Sequence, residues 1–111
     1  MLPKKFRLPT ENFNEVYRQG KKARGKYGMF VFLKTDIGNP RFGFVVSKKV
    51  GGAVARNRMT RLLRVVVMEV VNEKNLSSLS MDFQYIAFSY CEKKNLLKRE
   101  VEQQFEEILS K

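Results

Sequence analysis

Residues 47–64 read SKKVGGAVARNRMTRLLR, and this stretch is the most informative part of the chain. It combines the end of a strand, a turn with two adjacent glycines and the start of a helix, and it carries lysines and arginines with no acid among them. Cations packed this densely on one short segment repel each other unless a polyanion relieves the repulsion. Nucleic acid is the polyanion that the pattern indicates first.

The composition of the whole chain predicts a single small domain over residues 1–111. The hydrophobic fraction of 43% is that of a folded protein, while the net charge of +11 is high for this length. The charge is also uneven, because Asp36 is the only acid between residues 16 and 68. Four glutamates crowd the last twelve residues: Glu100, Glu102, Glu106 and Glu107. One part of the chain is therefore predicted to meet an anion, and the C-terminal part is not.

Several other classes of protein are excluded by the pattern. No run of residues approaches the roughly 18 apolar positions of a transmembrane helix, and no apolar segment follows the first cations as in a secretory signal. A membrane-surface protein would show an uninterrupted basic amphipathic helix, which is absent. The lone Cys91 cannot form an internal disulfide, so we expect a reducing, cytoplasmic setting and no membrane partner.

Hydrophobic periodicity predicts an α+β domain in the order α-β-β-(β)-α-β-α, with one strand optional. Helices are predicted over 10–20, 54–71 and 95–109, and strands over 27–35, 41–48 and 82–90. Residues 21–26 are predicted to be a basic linker, and the turn-forming residues 36–40 predict that the first two strands pair as a hairpin. Both faces of that hairpin are apolar, so one face needs helices and the other needs a second layer or a ligand.

The central predicted helix has two distinct faces. At about 100° per residue, its apolar stripe from Met59 to Val71 lies opposite Asn57, Arg58, Arg61 and Arg64. A solvated helix face normally mixes both signs of charge, but this one has no acid before Glu69. Arginine grips phosphate bidentately and stacks on bases, and an asparagine can bond a base edge or a sugar. Arg56 falls nearer the border of the stripe, where it braces the turn.

An aromatic groove is a second candidate site. Phe13 and Tyr17 on the first helix and Phe30 or Phe32 on the sheet could lie across one groove, and the cations at its edges would be Arg18, Lys21, Lys22 and Lys34. Aromatic platforms beside cations suit unpaired nucleotides. Aromatic side chains at helical or strand spacing are usually core residues, so the pattern leaves both interpretations open.

Catalytic motifs are missing from the sequence. There is no histidine, Cys91 has no CxxC partner, and no phosphate-binding loop or paired-carboxylate spacing is present. A nuclease that works alone would need carboxylates holding a metal, and nothing in the sequence nominates them. We therefore expect no catalytic residues in the protein itself.

The same central segment resembles the bacterial ribonuclease P protein family. Residues 41–51 read RFGFVVSKKVG, and they are followed by the RNR signature at 56–58 and by arginines at 61 and 64. The resemblance implies a small α+β domain similar to a ribosomal-protein module, with a left-handed β-α-β crossover through the RNR helix. It also implies a subunit that binds a catalytic RNA and helps it remove 5′ leaders from precursor tRNA.

Roles follow from the resemblance residue by residue. The catalytic RNA would be faced by Lys48, Lys49, Arg56, Asn57, Arg58, Arg61 and Arg64. The leader would be bound by Phe13, Tyr17 and Phe32, with Arg18 and Lys34 beside them. Hydrolysis would belong to Mg²⁺ held by the RNA subunit, with no cofactor on the protein and no obligatory protein partner. The alternative is a ribosomal or general RNA-binding protein, which would bind RNA without a role in cleavage.

Overall fold

A mixed four-stranded sheet organises the computed structural model, which describes residues 2–110. The chain begins with two short 3₁₀ turns, Lys4–Phe6 and Thr10–Asn12. The helices are α1 (Phe13–Gln19), α2 (Ala53–Glu73) and α3 (Lys94–Leu109), and the strands are β1 (Lys21–Arg24), β2 (Gly28–Lys34), β3 (Arg41–Val45) and β4 (Met81–Ala87). The α+β class and the order α-β-β-β-α-β-α are confirmed, with the optional strand present.

The predicted hairpin between strands 27–35 and 41–48, which correspond to β2 and β3, is wrong. The sheet order is β1-β2-β4-β3, so β4 lies between β2 and β3. It pairs antiparallel with β2 and parallel with β3, and Phe83 is opposite Phe32 on one side and Phe42 on the other. The Phe42 and Phe83 rings stack with centroids 4.9 Å apart. Both β2 and β3 are apolar on both faces, and β4 lies between them as their shared neighbour.

An ion pair fixes the start of the parallel pair. Arg41 donates from Nε and Nη2 to the two carboxylate oxygens of Asp82, both at 2.8 Å. Asp82 is 4% exposed, and its partner holds it in bidentate geometry. The hydrogen bond to this carboxylate raises the pKa of Arg41. Arg41 at the start of β3 is thereby held opposite Asp82, its register partner on β4.

The basic linker expected over residues 21–26 is instead an edge strand and a turn. β1 pairs antiparallel with β2, with Ala23 opposite Phe30. Ala23 is fully buried, and the carbonyls of Ala23 and Gly28 accept hydrogen bonds from Gln104 Nε2 on α3, both at 3.1 Å. Charged residues, lysine above all, are typical of edge strands, so the basic composition of β1 is compatible with a strand.

The two faces of the sheet are covered by different helices. The larger core lies between the sheet and helices α2 and α3, and it contains Phe30, Phe32 and the buried stripe of α2. The smaller core lies under α1 and includes Val16 with Met29 and Val31. Alternate residues of β2 therefore point to opposite cores. The parallel connection from β3 through α2 to β4 agrees with the crossover that the resemblance implies, and its left hand stays a prediction.

Candidate nucleic-acid interface

The basic segment predicted from residues 47–64 forms one surface, which we call the helix surface. It comprises the turn before α2 and the solvent side of its first three turns. Lys48, Lys49, Asn57, Arg58 and Arg61 are exposed, and Arg64 is half-buried. The opposite side of α2 is buried from Met59 onward. The predicted two-faced helix is present, so packing against the sheet turns these cations toward solvent.

Arg56 differs from its neighbours on the helix. It is half-buried, and its Nε is buried with no hydrogen-bond partner among residues 2–110. Its carbonyl accepts a hydrogen bond from Thr60 Oγ1 at 2.8 Å. This position fits the predicted border of the apolar stripe. An unpartnered buried donor is unfavourable, so a ligand that reaches this Nε would be bound more tightly.

One acidic residue from outside residues 47–64 contacts the helix surface. Glu92 lies in the segment between β4 and α3, and its Oε2 is 3.5 Å from Arg58 Nη1. The same oxygen accepts a hydrogen bond from the Tyr90 hydroxyl at 3.0 Å. Hydrogen bonding to Tyr90 and the charge of Glu92 raise the pKa of Arg58. Both members of the ion pair are exposed by more than half, so RNA phosphate can replace the carboxylate.

The other face of the sheet carries a second surface, which we call the α1 face. Phe13 is half-buried on it, Tyr17 is 47% exposed, and Arg18 is exposed. Helix α1 has only seven residues, so Leu33, Ile86 and Phe88 beside it stay partly accessible. An accessible apolar sheet face with aromatic side chains suits the stacking of unpaired bases.

Two cation–ring pairs extend the α1 face. The sequence predicted one pair only in part and did not predict the other. Lys22 Nζ lies 5.2 Å from the centroid of the Tyr17 ring, and the Arg24 guanidinium lies 5.2 Å from that of Phe88. Lys22 was placed at the groove, but Arg24 and Phe88 were not. The sequence of β1 could have indicated Arg24. Strand alternation that buries Ala23 places Lys22 and Arg24 on the opposite face of the strand, both on the same side.

Phe32 does not share a groove with Phe13 and Tyr17, so the predicted position of that ring is corrected, while leader contact by Phe32 and Lys34 stays a prediction. Phe32 is 4% exposed and belongs to the core under α2 and α3. The alternative, Phe30, is fully buried in the same core. Strand alternation turns Met29, Val31 and Leu33 toward α1 instead. Lys34 is exposed at a cavity of about 270 Å³ near the end of β2, which Phe32, Leu33 and Gln19 of α1 also line.

Within residues 2–110, no group of three or more His, Cys, Asp or Glu side chains could hold a metal ion. None of the helices in that part of the chain is both long and apolar enough to cross a membrane. Cys91 is buried as a free thiol.

Known proteins similar to this chain share one name. Curated relatives called ribonuclease P protein component include one from Syntrophomonas wolfei, 40% identical over 70 residues and covering 62% of this chain and 59% of that protein. Another, from Corynebacterium diphtheriae, is 40% identical over 86 residues, covering 70% of this chain and 72% of that protein. The aligned stretch spans only 59% and 58% of the first two curated relatives' own length.

Solved structures share the fold. A mutant of the Staphylococcus aureus RNase P protein superposes with a TM-score of 0.72 at 22% identity, covering 93% of this chain and 87% of that one. The RNase P protein from Thermotoga maritima gives a TM-score of 0.67 at 22% identity, covering 86% of this chain and 90% of that one. A model of the family Ribonuclease P matches residues 2–111. With the RNR helix and its sheet in place, this match shows that the chain belongs to the Ribonuclease P family.

Proposed function

We propose that this chain is the protein subunit of a bacterial ribonuclease P, a cytoplasmic ribonucleoprotein that removes the 5′ leader of precursor tRNA. The observation that carries the proposal is the helix surface, because residues 47–64 include lysines and arginines but no acidic residue. Family membership supports the same role. The partners are the catalytic RNA and precursor tRNA.

The helix surface is assigned to the catalytic RNA. Its lysines and arginines neutralise phosphates, and each phosphate contact releases counterions. Arg58 and Arg61 are exposed on it, and Asn57 adds a donor and an acceptor for a sugar or base edge. Arg56 contributes its buried Nε where the RNA closes over the start of α2.

The α1 face is assigned to the leader. Tyr17 is its most exposed aromatic ring, and Phe13 and Arg18 lie on the same helix. Lys22 and Arg24, held over the Tyr17 and Phe88 rings, supply charge for the leader phosphates. Leader contact by Phe32 and Lys34 stays a prediction. A strand bound here is read mainly by stacking, which tolerates many leader sequences.

The chemistry is assigned to the RNA subunit. Mg²⁺ would be held by that RNA rather than by residues of this chain, and it would supply the activation of the attacking water. The protein increases the affinity for substrate and screens the repulsion between the two RNAs, which lowers the Mg²⁺ concentration that cleavage needs.

The test is cleavage of a precursor tRNA by a bacterial ribonuclease P RNA at low Mg²⁺, with and without this protein. Stimulation that requires the RNA subunit supports the proposal. Tight RNA binding without stimulation supports a general RNA-binding protein instead. Cleavage by the protein alone in added metal would show a self-sufficient nuclease.

A further inference from the structure

Two cavities lie on either side of Glu92, and we call them together the Glu92 groove. The first has a volume of about 290 Å³, and its lining residues are Arg58, Arg61, Leu62, Val65 and Glu92. The second has a volume of about 270 Å³, and its lining residues are Tyr27, Tyr90, Cys91, Glu92, Lys93 and Leu96. Glu92 lines both cavities, so its side chain forms the wall between them. Small-molecule sites measure about 300–1,000 Å³, so each cavity has room for one base rather than for a duplex.

The floor of the groove is apolar although the surface around it is basic. Val65 is 44% exposed in the first cavity, and Leu96 is 40% exposed in the second. Val65 lies at i+7 from Arg58 and at i+4 from Arg61, which places all three on one side of α2. Hydrophobic residues exposed singly are normal on a protein surface, but these two lie in the two halves of one groove. An apolar face of a ligand can therefore be buried on both sides of Glu92.

Two tyrosine rings line the second cavity. Tyr27 precedes β2 and Tyr90 follows β4, and both are half-buried, so part of each ring is accessible. Lys26 Nζ lies over the Tyr27 ring, 5.5 Å from its centroid. Aromatic rings beside cations bind unpaired nucleotides by stacking, which does not depend on base sequence. The second cavity therefore suits an unpaired base.

The cations along the groove indicate that its ligand is an anion. Arg61 in the first cavity and Lys93 in the second are exposed, and neither forms an ion pair within residues 2–110. The groove is also continuous with the helix surface, because Arg58 and Arg61 belong to both. A polyanion bound to the helix surface extends directly into the groove, and this continuity favours the catalytic RNA over a protein segment.

Glu92 keeps the two cavities apart. Its Oε2 is 3.5 Å from Arg58 Nη1 and accepts the hydrogen bond of the Tyr90 hydroxyl at 3.0 Å. Among the described residues that line the groove, Glu92 is the one acid. It lies between the end of β4 and the start of α3, in a segment outside the helices and strands, and an exposed ion pair of this kind is weak. A phosphate that binds Arg58 can therefore displace the carboxylate and open the wall.

We propose that the Glu92 groove binds unpaired nucleotides of the catalytic RNA, with one base against Val65 and another against the Tyr90 ring, and that Glu92 closes the groove until a phosphate replaces it at Arg58. The inference rests on the proposed function and deepens it, because it adds a single-stranded contact to the phosphate contacts of the helix surface. It also gives Glu92 a role in selectivity. A duplex cannot place its paired bases in the groove, so it gains nothing that offsets the loss of the contact between Arg58 and Glu92.

The first test removes an apolar contact without changing the charge. Binding of the ribonuclease P RNA to the full chain is measured over a salt series. Val65→Ser is expected to weaken binding about fivefold and to leave the slope of log affinity against log salt concentration unchanged, since no phosphate contact is lost. Leu109→Ser is the matched control, because Leu109 is also exposed, at 45%, but is the last residue of α3. It should bind within about twofold of wild type.

The second test separates the Tyr90 ring from its hydroxyl. Tyr90→Ala removes the stacking platform and should weaken binding of the ribonuclease P RNA about tenfold. Tyr90→Phe keeps the ring and frees Glu92 from one hydrogen bond, so its binding should equal that of wild type or be up to about threefold tighter. An equal loss in Tyr90→Phe and Tyr90→Ala would contradict the stacking role. Chemical probing of the RNA should show unpaired bases that wild type protects and Val65→Ser does not.

The proposal is overturned if Val65→Ser binds the RNA like wild type, or if Leu109→Ser loses as much affinity. It is also overturned if Val65→Ser changes only the self-association of the protein in sedimentation, because the groove would then be an interface between two copies of this chain. Failure of the proposed function looks different: wild-type protein would not stimulate cleavage. Stimulation by wild type together with unchanged RNA binding by Val65→Ser would refute this inference alone.

Discussion

Replacing Arg61 by alanine removes one cation from the middle of the helix surface. The side chain is exposed, lies opposite the buried stripe of α2, and has no hydrogen-bond or ion-pair partner within residues 2–110. Its loss therefore leaves the packing of the helix unchanged, and alanine is a better helix former than arginine. We expect the variant to fold normally and to bind ribonuclease P RNA more weakly.

The size of the effect follows from counterion release. One phosphate contact contributes about 0.7–0.9 to the slope of log affinity against log salt concentration. Losing Arg61 should reduce the slope by about that amount. When the salt concentration is raised fourfold, the affinity gap between wild type and variant should then shrink by about threefold.

The assay is filter binding or anisotropy with the ribonuclease P RNA over a salt series. Arg99→Ala is the matched control, because Arg99 is also exposed but lies on α3 among the C-terminal glutamates. It removes the same charge and should leave the slope nearly unchanged. An unchanged slope for Arg61→Ala, or an equal change for Arg99→Ala, would refute the assignment of the helix surface.

Three further predictions concern charged pairs. Asp82→Ala leaves the partly buried Arg41 without its partner, so urea unfolding should show a loss of about 3 kcal/mol; a loss below about 1 kcal/mol would contradict the role given to the pair. Glu92→Gln frees Arg58 from its carboxylate, and RNA affinity at low salt should rise about two- to threefold; unchanged or weaker binding would show that Glu92 does not compete with phosphate. Hydrogen bonds from two lysines lower the pKa of Glu69 below its ordinary value of 4.5. Glu69 therefore stabilises the folded protein above pH 4.5, and this stabilisation is lost as the pH falls through the pKa of the folded state. The stability gap between wild type and Glu69→Gln should therefore close in acid, and a gap that persists there would contradict this.

The helix surface could be predicted from the sequence because its evidence is local. The apolar stripe of α2 repeats at helical spacing, and its cations fall on the other side of the same helix. The border position of Arg56 followed from the same geometry, and its buried Nε agrees with it.

The sheet could not be predicted in the same way because its pairing is not local. β4 begins 36 residues after β3 ends, counting from Val45 to Met81, and nothing in β2 or β3 shows that it will insert between them. The alternation of residues along β2 places Phe32 and Val31 on opposite faces of the sheet, as observed. It does not show which of the two faces α1 covers. Placing Phe32 in one groove with Phe13 and Tyr17 failed at that step. β1 was missed because Ala23 is its only buried residue.

We propose that two separate surfaces of this protein hold two RNAs, and the sharpest test of this is a series of precursor tRNAs with different leader lengths. Cleavage of precursor tRNAs with leaders of increasing length is measured with the ribonuclease P RNA at low Mg²⁺, using wild type, Tyr17→Ala and Arg61→Ala. Tyr17 is 47% exposed, so its loss should not unfold the protein. We expect stimulation by wild type to grow with leader length. Tyr17→Ala should remove this growth while binding the RNA subunit normally, and Arg61→Ala should keep the growth but need a higher protein concentration. Equal stimulation at every leader length with wild-type protein, or loss of RNA-subunit binding in Tyr17→Ala, would contradict it.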